Sequence, residues 1–194
     1  MSAIPVFLDA NTLMPISLAD LLLRLAEEGL IEPFWSQHVL DGALRAVLRH
    51  RTDLDSAKVS SRFDAMRGAF PSAMIATDGL NPDDYESPDS EDQWVIAAAI
   101  RSPAKTIVTR NLVHFPEPTL RRHLMTVQTA DQLLLTILGK SQASVIKVFY
   151  EMRRDMGNPP LSVEEMLGNL IDAGVPQFVE AMRRFTALDG PKPE

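Results

Sequence analysis

Acidic and amide side chains stand next to three apolar segments of this 194-residue chain. Asp9 and Asn11 follow the segment IPVFL, and Asn111 lies three residues after the segment TIV. Asp89 and Asp92 precede a third segment, WVIAAAI. Carboxylate and amide oxygens are suitable ligands for Mg²⁺ or Mn²⁺, and such an ion can activate a water and stabilise a departing phosphate oxygen. These residues therefore indicate a hard-metal site suited to phosphoryl chemistry.

Alternating strands and helices are predicted to position these side chains. Apolar and β-branched runs predict strands over residues 4–9, 33–35, 73–76, 105–109 and 124–127. Helical spacing and capping residues predict helices over about 15–28, 37–50, 55–70, 89–101 and 129–139. Short strands separated by helices pair in parallel through right-handed crossovers, so residues 1–140 should form a three-layer α/β/α domain with a central parallel sheet. Ligands of such sheets collect beyond the carboxyl ends of the strands, where Asp9 and Asn111 lie.

An all-helical C-terminal extension is predicted over residues 141–194. Helical periodicity covers 142–156, Ser162 and Glu165 form a capping box for the next helix, and a final helix covers 177–188 before a frayed GPKPE end. Apolar residues of the first of these helices could form a dimer face or dock the extension on the domain; they are Val145, Ile146 and Phe149.

The composition narrows the class of protein. The chain has no cysteine, which excludes disulfides, thiolate zinc sites and cysteine nucleophiles. A net charge of −7 argues against a protein that coats nucleic acid, although an enzyme acting on nucleic acid needs only a local basic rim. We find no apolar run of about 18 residues and no basic segment before an apolar one at the N-terminus. We therefore expect a cytoplasmic protein without membrane association.

Each candidate residue also has an ordinary structural explanation. Asp9 could cap a turn, and Asn111 could be a turn residue. Acids in the first turn of a helix, as at 89–92, are expected from the helix dipole. The four histidines (His38, His50, His114 and His123) have no ligand spacing and are interpreted as surface or core residues. The functional interpretation depends on three segments occurring together.

Four segments resemble the PIN-domain ribonucleases, in order and spacing: FLDANTL, WSQHVLDGALRAVL, PDSEDQWVIAAAI and IVTRNLVHFP. More narrowly, they resemble the VapC-type toxins of bacterial toxin–antitoxin pairs. The resemblance covers residues 4 to about 130, and the helical tail is similar to an extension in one subgroup of these toxins. It implies endonucleolytic cleavage of RNA, often tRNA or rRNA, with Mg²⁺ or Mn²⁺. It also implies a cognate antitoxin that inserts into the active-site groove, and we expect a homodimer.

The resemblance also implies roles for individual residues. Asp9 and Asp92 match the main metal ligands, and Asp89 matches the acid that precedes the second of these. Asn111 and Thr109 would position the hydrated metal and its attacking water. For RNA, Arg110 is the best candidate for a phosphate contact, with Arg45 on a segment flanking the groove.

Two positions depart from the family pattern. Gly42 lies where the family has an acid, and a glycine inside a helix costs about 1 kcal/mol relative to alanine. Neighbouring Asp41 could compensate, but one residue along a helix is about 100° of rotation, so it should not reach the same point without distortion. His114 replaces a further acid of the subgroup.

Three functions are compatible with these observations. The favoured one is a metal-dependent endoribonuclease toxin, active or inactivated at Gly42. The second is a catalytically dead PIN fold that only binds an antitoxin or RNA. A weaker third is a phosphatase of the haloacid-dehalogenase type, because Asp9 and Asn11 mimic its Asp-x-Asp start, although Leu13 replaces the expected Thr or Val.

Overall fold

A five-stranded parallel sheet forms the centre of the computed structural model, which describes residues 2–186. The strands are β1 (Ile4–Leu8), β2 (Ile31–Ser36), β3 (Met74–Ile75), β4 (Thr106–Val108) and β5 (Thr126–Gln128). Their order is β3-β2-β1-β4-β5, with every neighbouring pair parallel. After β1 the chain adds β2 and β3 on one side of β1, and it later adds β4 and β5 on the opposite side. The junction between β1 and β4 is therefore the topological switch point of the sheet. The predicted α/β fold with a parallel central sheet is confirmed.

Helices cover the sheet and form the C-terminal part of the described chain. They are α1 (Ala10–Leu13), α2 (Ile16–Glu27), α3 (Gln37–His50), α4 (Ser56–Ala69), α5 (Ser90–Arg101), α6 (Glu117–Arg122), α7 (Ala130–Lys140), α8 (Gln142–Asp155), α9 (Val163–Asp172) and α10 (Pro176–Thr186). Short 3₁₀ helices lie at Pro71–Ala73, Pro82–Asp84 and Leu112–His114. The sequence analysis missed α1 and α6, since four to six residues are too few to show helical periodicity.

Capping side chains fix where the predicted helices begin. Ser36 Oγ accepts from the Val39 N–H and so caps α3, the helix that carries Gly42. Asp89 caps α5 by accepting from the Glu91 N–H. The predicted capping box of Ser162 and Glu165 is present at α9. Each cap contributes about 1 kcal/mol to stability. The first two fix the start of α3 and of α5.

Fully buried residues of β1 and α5 form part of the core of the sheet domain. Val6, Phe7 and Leu8 of β1 are fully buried, as a strand covered on both faces requires. The alanines at 97, 98 and 99 of α5 are also fully buried. Side chains this small let the helix axis approach the strands, so α5 holds its N-terminal acids near the end of β1.

The C-terminal helices share the core of the sheet domain. Val145 and Phe149 of α8 are fully buried within the chain and belong to one hydrophobic cluster with β1 and α2. These two side chains therefore dock the extension and are not available as a dimer face. An ion pair of 2.8 Å joins Arg24 of α2 to Asp155 of α8.

A buried carboxylate also ties the extension to the preceding helix. Asp131 of α7 accepts from the backbone N–H groups of Gln177, at 3.1 Å, and Phe178, at 2.7 Å. Both donors lie in the first turn of α10, whose N–H groups have no partner within the helix. Asp131 thus caps a helix 45 residues further along the chain by a tertiary contact.

Two further sequence predictions concern the ends of the chain and membranes. The frayed GPKPE end and the last two residues of the predicted helix 177–188 lie outside the described residues. Within residues 2–186, no single helix has the length and apolar character needed to cross a membrane. The pair α7 and α8 meets those criteria only when joined, and its two helices are bent by 120° from one another.

Candidate metal centre

Asp9 lies at the topological switch point of the sheet, immediately after β1. Its N–H donates to Val108 O at 3.1 Å, so the β1/β4 pairing continues one residue beyond β1. Thr109 occupies the matching place after β4, and its N–H donates to Gln128 O of β5. The two side chains meet across the switch point although 100 residues separate them in the sequence. Ligand sites of open parallel sheets form at this location.

Three donors hold the Asp9 carboxylate in one orientation. Oδ1 accepts from the Ala10 N–H at 2.6 Å, while Oδ2 accepts from Asn11 Nδ2 and from the Thr109 hydroxyl, both at 2.7 Å. Asn11 Oδ1 in turn accepts from the Arg110 N–H at 2.9 Å. Asn11 therefore ties the end of β1 to the loop after β4, a role that the sequence analysis did not assign to it. The sequence feature that could have indicated this role is an amide side chain two residues after the acid at the end of a strand.

Burial makes the Asp9 carboxylate costly to ionise. The side chain is only 3% exposed. Desolvation raises the pKa of Asp9 from 3.8 to about 6, opposed by the hydrogen bond from Thr109 and increased by the nearby charge of Asp92. A carboxyl whose pKa is raised by burial, and further by a neighbouring acid, is characteristic of functional sites.

Asp92 and Asp89 approach the same region from the start of α5. Asp92 is 15% exposed, and burial raises its pKa, opposed by the hydrogen bond with His114 and increased by the charge of Asp89. Asp89 remains half-exposed as the cap of α5. Within residues 2–186, no lysine or arginine forms an ion pair with Asp9 or Asp92. A buried and a partly buried carboxylate without a lysine or arginine partner form a donor set that fits a divalent cation.

His114 belongs to this cluster, so interpreting all four histidines as unrelated surface or core residues was wrong. Its Nδ1 lies 2.7 Å from Asp92 Oδ2 and 2.6 Å from Asn111 Nδ2. The 3₁₀ turn Leu112–His114 brings the ring back toward α5, and Ser87 Oγ donates to the His114 carbonyl at 2.8 Å. Potential ligand atoms of Asp89, Asp92 and His114 lie within 4.8 Å of one another. His114 thus lies between Asn111 and Asp92 and contacts both side chains.

A groove of about 210 Å³ opens beside the two carboxylates. Asp9 and Asp92 line one part of it, and Gly42 of α3 lies in its wall. A Cβ added at Gly42 would lie 3.4 Å from the Ala10 Cβ and 3.9 Å from Arg45 Nη2, which is ordinary van der Waals contact. The backbone therefore leaves room for a Cβ at 42, in the wall of the groove.

Asp41 and Glu91 occupy different positions relative to this groove. Asp41 accepts from Gln37 Nε2 at 2.7 Å on the exposed side of α3 and is not among the residues that line the groove. Glu91 lines the groove, and its carboxylate contacts His38 Nε2 at 3.1 Å and Arg45 at 3.4 Å. From the sequence, Glu91 is predicted only as an acid in the first turn of a helix, because nothing in the spacing shows that it faces α3.

The two arginines considered for RNA contacts point in different directions. Arg45 lines the groove together with Arg49. The guanidinium of Arg110 instead donates to Ala173 O at 2.8 Å, at the end of α9. A Cβ on neighbouring Gly174, whose φ is +92°, would come within 3.3 Å of that guanidinium. Arg110 thus connects the C-terminal helices, through its guanidinium, to the loop after β4, whose backbone contacts Asn11.

Comparison with known proteins matches two parts of the chain. Residues 5–113 match the family model of the PIN domain, and residues 130–184 match that of the VapC50 C-terminal domain. The second match begins at α7, whereas the predicted extension begins at residue 141. "Putative ribonuclease VapC50" of Mycobacterium tuberculosis is 33% identical over 101 residues, which are 52% of this chain and 59% of that protein. The matched region thus spans less than two thirds of this relative. No solved structure matches.

Proposed function

Because this chain belongs to the PIN-domain family, we propose that it is a metal-dependent endoribonuclease and the toxin of a toxin–antitoxin pair. The observation that carries the proposal is the meeting of Asp9 and Asp92 beside an open groove at the switch point of the sheet. RNA is the proposed substrate, with tRNA or rRNA as the first molecules to test. The name of the relative, a ribonuclease, supports this choice of substrate.

The residues at the site fit a bound Mg²⁺ or Mn²⁺. Asp9 and Asp92 would hold the ion, which when bound would supply an activated water and stabilise the leaving oxygen. Thr109 and Asn11 keep the Asp9 carboxylate oriented through their hydrogen bonds. Asn111 acts on Asp92 through His114. Fixed orientation of the first ligands reduces the reorganisation needed when metal and RNA bind.

RNA contacts are proposed along the groove at Arg45 and Arg49. Both lie on α3 beside Asp9 and Asp92, where a guanidinium can hold a phosphate next to the metal. Arg45 has a weak competing contact, since Glu91 lies at 3.4 Å and both side chains are more than half exposed. The Arg110 guanidinium would first have to release Ala173 O, so we assign it no direct RNA contact.

Gly42 lowers the activity expected of this chain. The groove wall lacks a carboxylate at 42, and Asp41 is directed toward Gln37 instead. The remaining acids repel one another less, so the fold is maintained while metal affinity falls. This favours one second candidate, a PIN-fold module that binds antitoxin or RNA without cutting. A haloacid-dehalogenase-type phosphatase has no support, because residues 5–113 match the PIN family.

Cleavage by the native chain and by Gly42→Glu tests the proposal. Both proteins are incubated with total tRNA and with rRNA in Mn²⁺, Mg²⁺ or EDTA. We expect weak metal-dependent cleavage by the native chain and faster cleavage by Gly42→Glu, because an added Cβ has space at 42 and this residue lines the groove. Asp9→Asn should abolish cleavage in either background.

Gly68→Glu provides the matched control. It adds the same side chain to a glycine of α4 that has nothing within 4 Å of an added Cβ and lies away from the groove. It should leave the cleavage rate unchanged. If neither the native chain nor Gly42→Glu cuts RNA with any metal, the ribonuclease proposal is wrong and the binding module remains. Cleavage by the native chain that is lost in Asp41→Asn would instead show that Asp41 substitutes for the missing acid.

The proposal includes partners and location. A cognate antitoxin would bind over the groove, and an RNA-cleaving toxin meets its substrate in the cytoplasm. We also propose a homodimer, supported by two strongly exposed apolar side chains, Val113 at 78% and Leu124 at 80%. Light scattering on the native chain and on a Val113→Ser, Leu124→Ser variant tests this: a monomer in the native protein contradicts it.

A further inference from the structure

His114 brings a nitrogen donor to a pair of carboxylates. Its Nδ1 lies 2.7 Å from Asp92 Oδ2 and 3.9 Å from Asp89 Oδ2. The ring is 29% exposed, Ser87 Oγ holds the His114 carbonyl, and Asp92 and Asn111 contact Nδ1 of the ring. Separations of this size between donor atoms are compatible with two ligands of the same ion.

Nδ1 of His114 lies between two polar side-chain atoms, and its role depends on which tautomer the ring adopts. Asp92 Oδ2, an acceptor, and Asn111 Nδ2, a donor, both lie within 2.7 Å of this one nitrogen. A ring nitrogen presents either a hydrogen or a lone pair, so it can satisfy only one of these neighbours. A cation beside it would instead accept lone pairs from Nδ1 and from Asp92. With its amide turned over, Asn111 would direct an oxygen to the same point.

We propose that His114 is a nitrogen ligand of the metal ion and that it shifts the preference of the site from Mg²⁺ toward Mn²⁺ and Co²⁺. This rests on the proposed function, because it requires an ion held by Asp92. Mg²⁺ binds oxygen ligands almost exclusively, whereas imidazole favours the later divalent metals. The missing carboxylate at Gly42 strengthens the effect, since fewer charged oxygens remain to compensate Mg²⁺ for its dehydration.

Metal binding without RNA tests this inference. Dissociation constants for Mg²⁺, Mn²⁺ and Co²⁺ are measured by calorimetry on metal-free native protein and on His114→Asp. The native protein should bind Co²⁺ more tightly than Mg²⁺. In His114→Asp, the ratio of the Mg²⁺ to the Co²⁺ dissociation constant should fall by about tenfold or more. Electron spin-echo spectra of the Mn²⁺-loaded protein should show a coordinated nitrogen in the native chain and none in the variant.

Control variants separate ligation from other effects. His50→Asp makes the same change at an exposed histidine at the end of α3 and should leave both readouts unchanged. If His114→Asp does not fold, as judged by circular dichroism, His114→Asn replaces it with a neutral oxygen donor. An unchanged ratio with the nitrogen signal retained in the variant overturns the inference, and so does a native protein that binds none of the three ions. A nitrogen signal in a protein that cuts no RNA would support the inference while contradicting the proposed function.

Discussion

The substitution Asp9→Asn, at the topological switch point of the sheet, should stabilise the metal-free protein. Asp9 is 3% exposed, and burial raises its pKa from 3.8 to about 6. Because the folded state holds this proton more tightly than the unfolded state does, the resulting stability is fully present below about pH 3.8. It is lost as pH rises through about 6. Asp9→Asn removes the ionisation and should remove this loss.

The size of the effect follows from the pKa shift. A shift of about 2 units corresponds to roughly 3 kcal/mol, at about 1.4 kcal/mol per unit. The asparagine also carries a cost, because its Nδ2 must face either the Ala10 N–H or the donors Asn11 and Thr109. One such mismatch costs about 1–3 kcal/mol, so the net gain at pH 7.5 should be about 0–2 kcal/mol. The mismatch is independent of pH, whereas the ionisation is not.

Urea unfolding from pH 4 to pH 8 in EDTA separates these two contributions. The difference in unfolding free energy between Asp9→Asn and the native chain should change by roughly 2 kcal/mol across this range, in favour of the variant at high pH. Parallel curves would refute the reasoning. Adding Mn²⁺ at pH 7.5 should stabilise the native chain more than the variant, because a ligand that binds the folded state shifts the equilibrium toward it.

Two further changes test how the C-terminal helices are attached. Asp131→Ala leaves the Gln177 and Phe178 N–H groups without their partner and should lower the unfolding free energy by about 2–4 kcal/mol, measured in urea. Asp131→Asn keeps one acceptor, so an equal loss in both variants would contradict the capping role. Gly174→Ala should destabilise by about 1–3 kcal/mol, owing to its φ of +92° and its approach to Arg110. Gly168→Ala, in open space on α9, should be neutral or stabilising by up to about 1 kcal/mol, and similar values for the two would contradict the argument.

The fold was predictable because local signals agreed with one another. β-Branched and apolar runs identified the strands, and capping residues such as Ser162 identified where helices begin. Alternation then required a parallel sheet, and the structure confirms it. The short helices α1 and α6 were missed, since their formation depends on tertiary contacts. In α1, for example, Arg62 of α4 donates to the Leu13 carbonyl at 2.8 Å.

The site was predictable only in outline. Acids at strand ends indicated where Asp9 would lie, but not that Thr109 and Asn11 would hold it. The contact between His114 and Asp92 depends on a 3₁₀ turn, which has no marked sequence period. Arg110 lies 63 residues from Ala173, and local sequence rules contain no information about that contact. In each case a side chain is positioned by a segment distant in the sequence.

The distance along the chain between Asp9 and Thr109 has a consequence for a cell that makes this protein. These residues touch across β1 and β4 but are 100 residues apart. At a synthesis rate of about 5–20 residues per second, roughly 5–20 seconds separate their appearance on the ribosome. For most of this interval a nascent chain carries the first acid without Asp92, and for all of it without Thr109 and His114. The candidate site therefore cannot assemble before the chain has been synthesised as far as His114, more than half of its length.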